Sequence, residues 1–257
     1  MDTLEEQILN DHYTAILEAR KAGASVLPVL LALVHNERPE VRELSLYCLR
    51  EIGGDDAAAA FVEALLDPEP QVRGVALGSL HQHPRSSVQE ALFRAFDRSN
   101  DPYVRQQIPL IFGRMEGDDV RRADVVDRCR REHEPKAREG CMVVMAKWGD
   151  EDARHAFVAQ LHVSRGRDRV RFLDYAQYIG GSWLLKHLSP LLEDTSPAVR
   201  VGVDGIPDTP QSRRVVDLAI DLIARIADHR FSFGDTVPTN YTDEQIEEVT
   251  RFLKSIP

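Results

Sequence analysis

At 257 residues, with 43% apolar and 29% charged residues, the chain is long enough to bury a sizeable core and too apolar to be disordered. The longest apolar run, Val26 to Val34, is too short to span a bilayer. A net charge of −10 argues against a general nucleic-acid binder, whose affinity comes from an excess of Lys and Arg.

The opening stretch MDTLEEQILNDHY is acidic and amphipathic, with no basic region or cleavage site. No signal peptide is therefore expected, and the cytoplasm is the expected compartment. Thr3 with Glu6 makes a capping box that opens a helix to about Lys21, and Ser25 opens a second. Residues 1–36 thus form an N-terminal capping hairpin.

From residue 37 the chain repeats itself. The segments RPEVR, EPQVR, DPYVR, EPKAR, RDRVR and SPAVR place Arg42, Arg73, Arg105, Arg138, Arg171 and Arg200 at steps of 29 to 33 residues. In five of the six, a proline stands three places earlier (Pro39, Pro70, Pro102, Pro135, Pro197), which suits the first helical position because the N–H it lacks would have had no partner. Val or Ala precedes each arginine, and the residues three, four and seven after it complete one face of a 3.6-residue helix. Glycine- and aspartate-rich turns end the first helices, and a second apolar helix follows each. Ser87 with Glu90 is the capping box for one of these.

Each repeat is therefore a helical hairpin that cannot bury its apolar face alone and must stack on its neighbours. The predicted fold class is all-α, a right-handed α-solenoid of about seven antiparallel hairpins in one domain over 1–257. Residues 37–227 hold the six repeats, with a helix from Thr209-Pro210 to about Ala227. Residues 228–257 supply a loop and a C-terminal capping helix begun by Thr242 and Gln245.

The repeats resemble HEAT repeats of the short kind named after phycobilisome lyases, most closely in DPEPQVRGVALGSL, Asp67 to Leu80, and over roughly residues 25 to 227. The resemblance implies that each repeat arginine pairs with an acid six places earlier, forming a ladder between neighbouring repeats. Those positions hold Asn36, Asp67, Ser99, Glu132, Arg165 and Asp194. Ser99 and Arg165 are departures. On this reading the six arginines spend their charge on their own protein and do not form a basic stripe.

The fifth repeat is the most irregular. It lacks the proline, reads SRGRDRVRFLDYAQYIGGSW, and carries Asp174 and Gln177 where small or apolar residues stand elsewhere. Residues 121–171 hold 13 Lys/Arg against 9 Asp/Glu in an otherwise acidic chain. There Arg121, Arg122, Arg130 and Arg131 form either a solvated helix face or a patch for an acidic or phosphate-bearing ligand.

Motifs of catalysis are absent: no GxSxG, P-loop or dinucleotide fingerprint is present. His155 and His162 share a helical face without a third ligand, and the single His-Glu pair, His133-Glu134, falls short of the several that HEAT-like di-iron hydroxylases carry. Cys48, Cys129 and Cys141 read as reduced, buried thiols. No metal or cofactor is expected.

The expected function is protein–protein binding and not catalysis, as a scaffold, adaptor or regulator that grips a partner on a concave, second-helix surface. The alternatives are an inhibitor or immunity-type binder of a basic toxin or enzyme, and a HEAT-like-fold enzyme, DNA glycosylase-like or bilin lyase-like. The expected contacts lie in repeats four to six. Trp183 and Tyr178 are the anchors, Tyr175, His187 and Asp174 line the same pocket, and Arg165, Arg167 and Arg169 steer. The expected partner is another protein with a basic surface, with no role for nucleic acid or membrane.

Overall fold

The computed structural model describes residues 11–198, 213–234 and 240–256. Among these the chain is all-helical, with no strand beyond an isolated bridge between Pro197 and Arg214. The Thr3–Glu6 box, Arg200 and the Thr209-Pro210 helix start lie outside the described residues. By its internal packing the chain divides into two compact units, residues 1–144 and 145–257.

The first unit is a series of hairpins. Helix α1 (His12–Ala22) passes through a 3-10 turn into α2 (Leu27–Leu33), and α3 (Pro39–Ile52) is paired with α4 (Asp55–Ala64). Next come α5 (Pro70–Gln82) with α6 (Gln89–Arg98), α7 (Pro102–Phe112) with α8 (Arg122–Arg131), and α9 (Pro135–Lys147), which runs into the second unit. The second unit holds α10 (Glu151–Val163), α11 (Gly166–Ile179), the short α12 (Leu185–Leu188) between two 3-10 turns, α13 (Val215–Ala227) and α14 (Asp243–Ser255). Thr242 and Gln245 form the expected reciprocal cap of α14. Ser87 does not cap α6. A 3-10 turn occupies residues 86–88, and the Ser87 hydroxyl instead donates to Asp55 of the preceding repeat at 2.9 Å.

Apolar periodicity puts one stripe of each first helix into the core. In α3 the buried residues are Val41, Leu44, Ser45, Leu46, Cys48 and Leu49. Ser45 and Ser79 are fully buried and donate back to the carbonyls of Val41 and Val75, so these small residues sit against neighbouring helices without an unmet polar group.

Ion pairs tie the repeats together by a geometry different from the one the resemblance implied. Arg42 and Arg73 each reach back six residues to a backbone carbonyl, of Asn36 at 2.9 Å and of Asp67 at 2.8 Å. The carboxylate partners of Arg42, Arg73 and Arg105 come from the following repeat. Arg42 grips Asp67 with two 2.8 Å bonds, Arg73 pairs with Asp101 in place of the expected Ser99 position, and Arg105 pairs with Glu132. Each acid also accepts backbone N–H groups of its own turn, from Glu69 to Asp67, from Tyr103 to Asp101, and from His133 and Glu134 to Glu132.

The fifth repeat corrects the ladder assignment. Its ladder arginine is Arg169, not Arg171: Arg169 is 4% exposed, pairs with Asp194 at 2.8 Å and donates to the carbonyls of His162 and Ser164. Arg171 is on the surface beside Asp168. In α3, α5, α7 and α9 the arginine is the fourth residue of the helix, counted from the proline that opens it. Gly166 opens α11, so its fourth residue is Arg169. Arg138, at the matching position of α9, is exposed.

These pairs set the acid response of the first unit. Burial works against charge on Asp67, Asp101 and Glu132, but the N–H donors of their turns and the arginines Arg42, Arg73 and Arg105 outweigh it and hold all three carboxyls below the ordinary range. A carboxyl depressed in the fold stabilises fully above its unfolded pKa, about 4, and loses that contribution as pH falls through its folded value. His81 acts in a higher window. Burial, with a push from Arg114 and against the Gln107 hydrogen bond, lowers its pKa to about 4. Its neutral ring therefore stabilises fully above about pH 6.5 and loses ground as pH falls toward 4. Thermal melts should decline in two stages on acidification, and His81→Gln should erase the first. A wild-type melting temperature flat between about pH 6.5 and 4 would contradict the assignment.

Candidate partner-binding surface

The residues singled out in the fifth repeat fall on two different helices. Gly180 and Gly181, with φ of 66° and 92°, end α11 and turn the chain into the 3-10 residues Ser182–Leu184 and then α12. Only glycine suits position 181, since a β-carbon there would lie 3.1 Å from the Trp183 ring in addition to the positive φ. The turn sets Trp183, half-buried, beneath the guanidinium of Arg154, whose Cζ stands 4.8 Å from the indole centroid. Arg154 is held by Glu151 at 2.8 Å and by the Ala146 carbonyl. His187 meets Trp183 edge-on at 6.2 Å, and His162 bonds through Nε2 to the His187 carbonyl at 2.8 Å. Burial, then Lys186, His162 and His155, lowers the pKa of His187, so its ring is neutral at pH 7. Four side chains from the second helices of two adjacent repeats thus form one row: Arg154, Trp183, His187 and His162.

The other candidates are arranged apart from that row. Tyr178 lies under Lys147, whose Nζ is 4.8 Å from its ring and donates to its carbonyl at 2.7 Å. Tyr175 packs edge-on to Phe172 at 5.8 Å, and Asp174 is exposed on α11. The expectation of one pocket shared by all five residues is corrected to two groups, one on first helices and one on second helices. Of the steering arginines, Arg167 is exposed and Arg165 closes the end of α10 through the carbonyls of His162 and Ser164. Arg169 is buried in the ladder and cannot steer.

Sequence reasoning missed Arg154 and His162. The available signal was spacing: Arg154 to Trp183 is 29 residues and His162 to His187 is 25, close to one repeat.

In the first unit, the arginines of the basic middle are engaged by neighbouring acids. Arg121 bonds Glu90 and Asp124, Arg128 bonds Asp97, and Arg131 bonds Asp127. Arg121 and Arg128 also lie over the Phe93 ring, at 4.8 and 4.2 Å. A small apolar cavity beneath Arg128 is lined by Phe93, Phe96, Pro109, Phe112 and Cys129. All three cysteines are buried. The Cys141 thiol and burial raise the pKa of Cys129, and burial pushes Cys48 up to about 11, which suits packing and not nucleophilic attack. No helix among the described residues is long and apolar enough to cross a membrane.

The model of HEAT repeats matches residues 10–80. HEAT repeats are thus shown over that stretch. Along 99% of its length the chain also superposes on 95% of a chain in the solved complex of CpcE and CpcF of phycocyanin lyase from Nostoc sp. PCC7120, with a TM-score of 0.54 and 14% identity. That likeness fixes the fold as an all-α, HEAT-like solenoid. It also corrects the expectation that the chain is not an enzyme, because the fold it matches nearly end to end is one found in a lyase complex. Among curated proteins, none matches the sequence significantly.

Proposed function

We propose that the chain works as one subunit of a two-protein assembly of the bilin lyase-like kind, and that it grips its partner through the second-helix surface around Trp183. The observation that carries this is the Trp183 row: an indole fixed by Gly181, covered on one face by Arg154 and edged by His187. Tryptophan and arginine held in place before binding are the residues that dominate protein interfaces. The likeness to a two-protein lyase complex supports the assembly and favours a lyase-type role over a passive scaffold.

Full-length chain used as bait should retain one protein, identified by mass spectrometry. Trp183→Ala should weaken capture by about 2 kcal/mol, roughly thirtyfold in Kd, with helicity unchanged by circular dichroism. Undiminished capture would remove this surface as the contact. The pair together should then transfer a bilin to or from phycocyanin faster than either protein alone. Intact binding without transfer would sink the lyase part of the reading.

A further inference from the structure

About one residue in six of the chain is acidic, yet two segments that meet at the Trp183 row contain no acid. Residues 153–167, from the third residue of α10, just after Glu151 and Asp152, to the start of α11, carry Arg154, His155, His162, Arg165 and Arg167. Residues 175–192 carry Trp183, Lys186 and His187. The two are joined by the Arg154–Trp183 and His162–His187 contacts, which set Arg154 and His162 beside Trp183 and His187. Among the described residues a carboxylate is paired with one member of the row: Glu151 with Arg154, at the exposed N-terminal end of α10 and 69% exposed in its side chain. His155, Arg165, Arg167 and Lys186 are all exposed.

From this we infer that the Trp183 surface docks an acidic, aromatic- or leucine-bearing segment of a protein partner. The inference rests on the reading of this surface as the contact and adds the chemistry of what it holds. The local field, not the net charge of −10, decides the match: a basic partner would be drawn to the acidic remainder and would meet like charge here. A nucleic acid fits less well. The surface offers two permanently charged groups, Arg154 and Lys186, too few to offset repulsion of a phosphate backbone by the rest of the chain, whereas an indole edged by imidazole suits an apolar side chain between carboxylates.

The test uses full-length chain and fluorescein-labelled decapeptides read by anisotropy, one alternating Glu with Leu and one alternating Lys with Leu, together with a single-stranded DNA decamer. The Glu/Leu peptide should bind best. Its affinity should fall about tenfold in the Arg154→Glu/Lys186→Glu variant, and again when salt rises from about 20 to about 300 mM. Equal or tighter binding of the Lys/Leu peptide, tighter binding of the DNA, or indifference to the double charge reversal would each overturn the inference. Both substituted positions lie at the surface, and circular dichroism confirms that the variant is folded. If the captured partner is lost in Trp183→Ala but kept in Arg154→Glu/Lys186→Glu, the contact surface stands and the acidic-segment inference falls. If neither variant affects capture, the surface itself falls.

Discussion

Gly140→Ala should be among the most damaging single substitutions in the first unit. A methyl group on Gly140 would stand 2.0 Å from the carbonyl oxygen of Gln106 and 2.9 Å from its carbonyl carbon, so α9 crosses α7 backbone to backbone. Neither side can yield by turning a side chain. Gln106 is itself buried and tied to Glu139 at 2.9 Å, and Pro109 one turn later already removes a helical N–H from α7. Forcing the helices apart should cost about 3 kcal/mol or more, the upper end of what overpacking does. Gly74→Ala and Gly78→Ala in α5 are the controls, because a β-carbon there meets nothing within 4 Å. Both should be neutral or stabilising by up to about 1 kcal/mol through helix propensity. Urea unfolding of the three variants reads the contrast directly, and a Gly140→Ala midpoint equal to wild type would refute the close crossing.

The second large effect belongs to Arg169. Its guanidinium is almost fully enclosed, with Asp194 on one side and the carbonyls of His162 and Ser164 on the other. Arg169→Ala would leave the Asp194 carboxylate and two carbonyls without their donor, at a cost of about 3–5 kcal/mol. Arg171→Ala should change stability by no more than about 0.5 kcal/mol, since the Arg171–Asp168 pair is exposed at 46% and 64%. The two arginines are separated by one residue, so the comparison isolates register from composition. Equal losses at the two positions would return the ladder role to Arg171.

That pair also shows how far the sequence could be read. The hairpins and their period were legible because Pro39, Pro70, Pro102 and Pro135 each mark a helix start and each buried Val or Ala points the same way. In the fifth repeat Gly166 replaces the proline, the Val-Arg dipeptide drew the alignment to Arg171, and the helix start that settles the matter is invisible without coordinates. The links between second helices, Asp55 to Ser87, Glu90 to Arg121 and Asp97 to Arg128, were not legible either. They join side chains of differing types 31 or 32 residues apart, and no single residue pattern marks them. Trp183 and His187 stood out by type alone. Their partners Arg154 and His162 look like ordinary surface residues until the stacking of repeats brings them alongside.

Asp67 is fastened from two directions: its carboxylate by Arg42 of the repeat before, its carbonyl by Arg73 of its own. The turn between α4 and α5 is accordingly a rivet, while at the Gly53-Gly54 bend of the α3–α4 hairpin the links to the next repeat, from Asp55 to Arg85 and Ser87, are exposed. Length and composition can drift more freely at bends of the second sort than at the riveted turns. Variation among related chains would then collect at the hairpin bends of the first unit, leaving its riveted turns nearly constant.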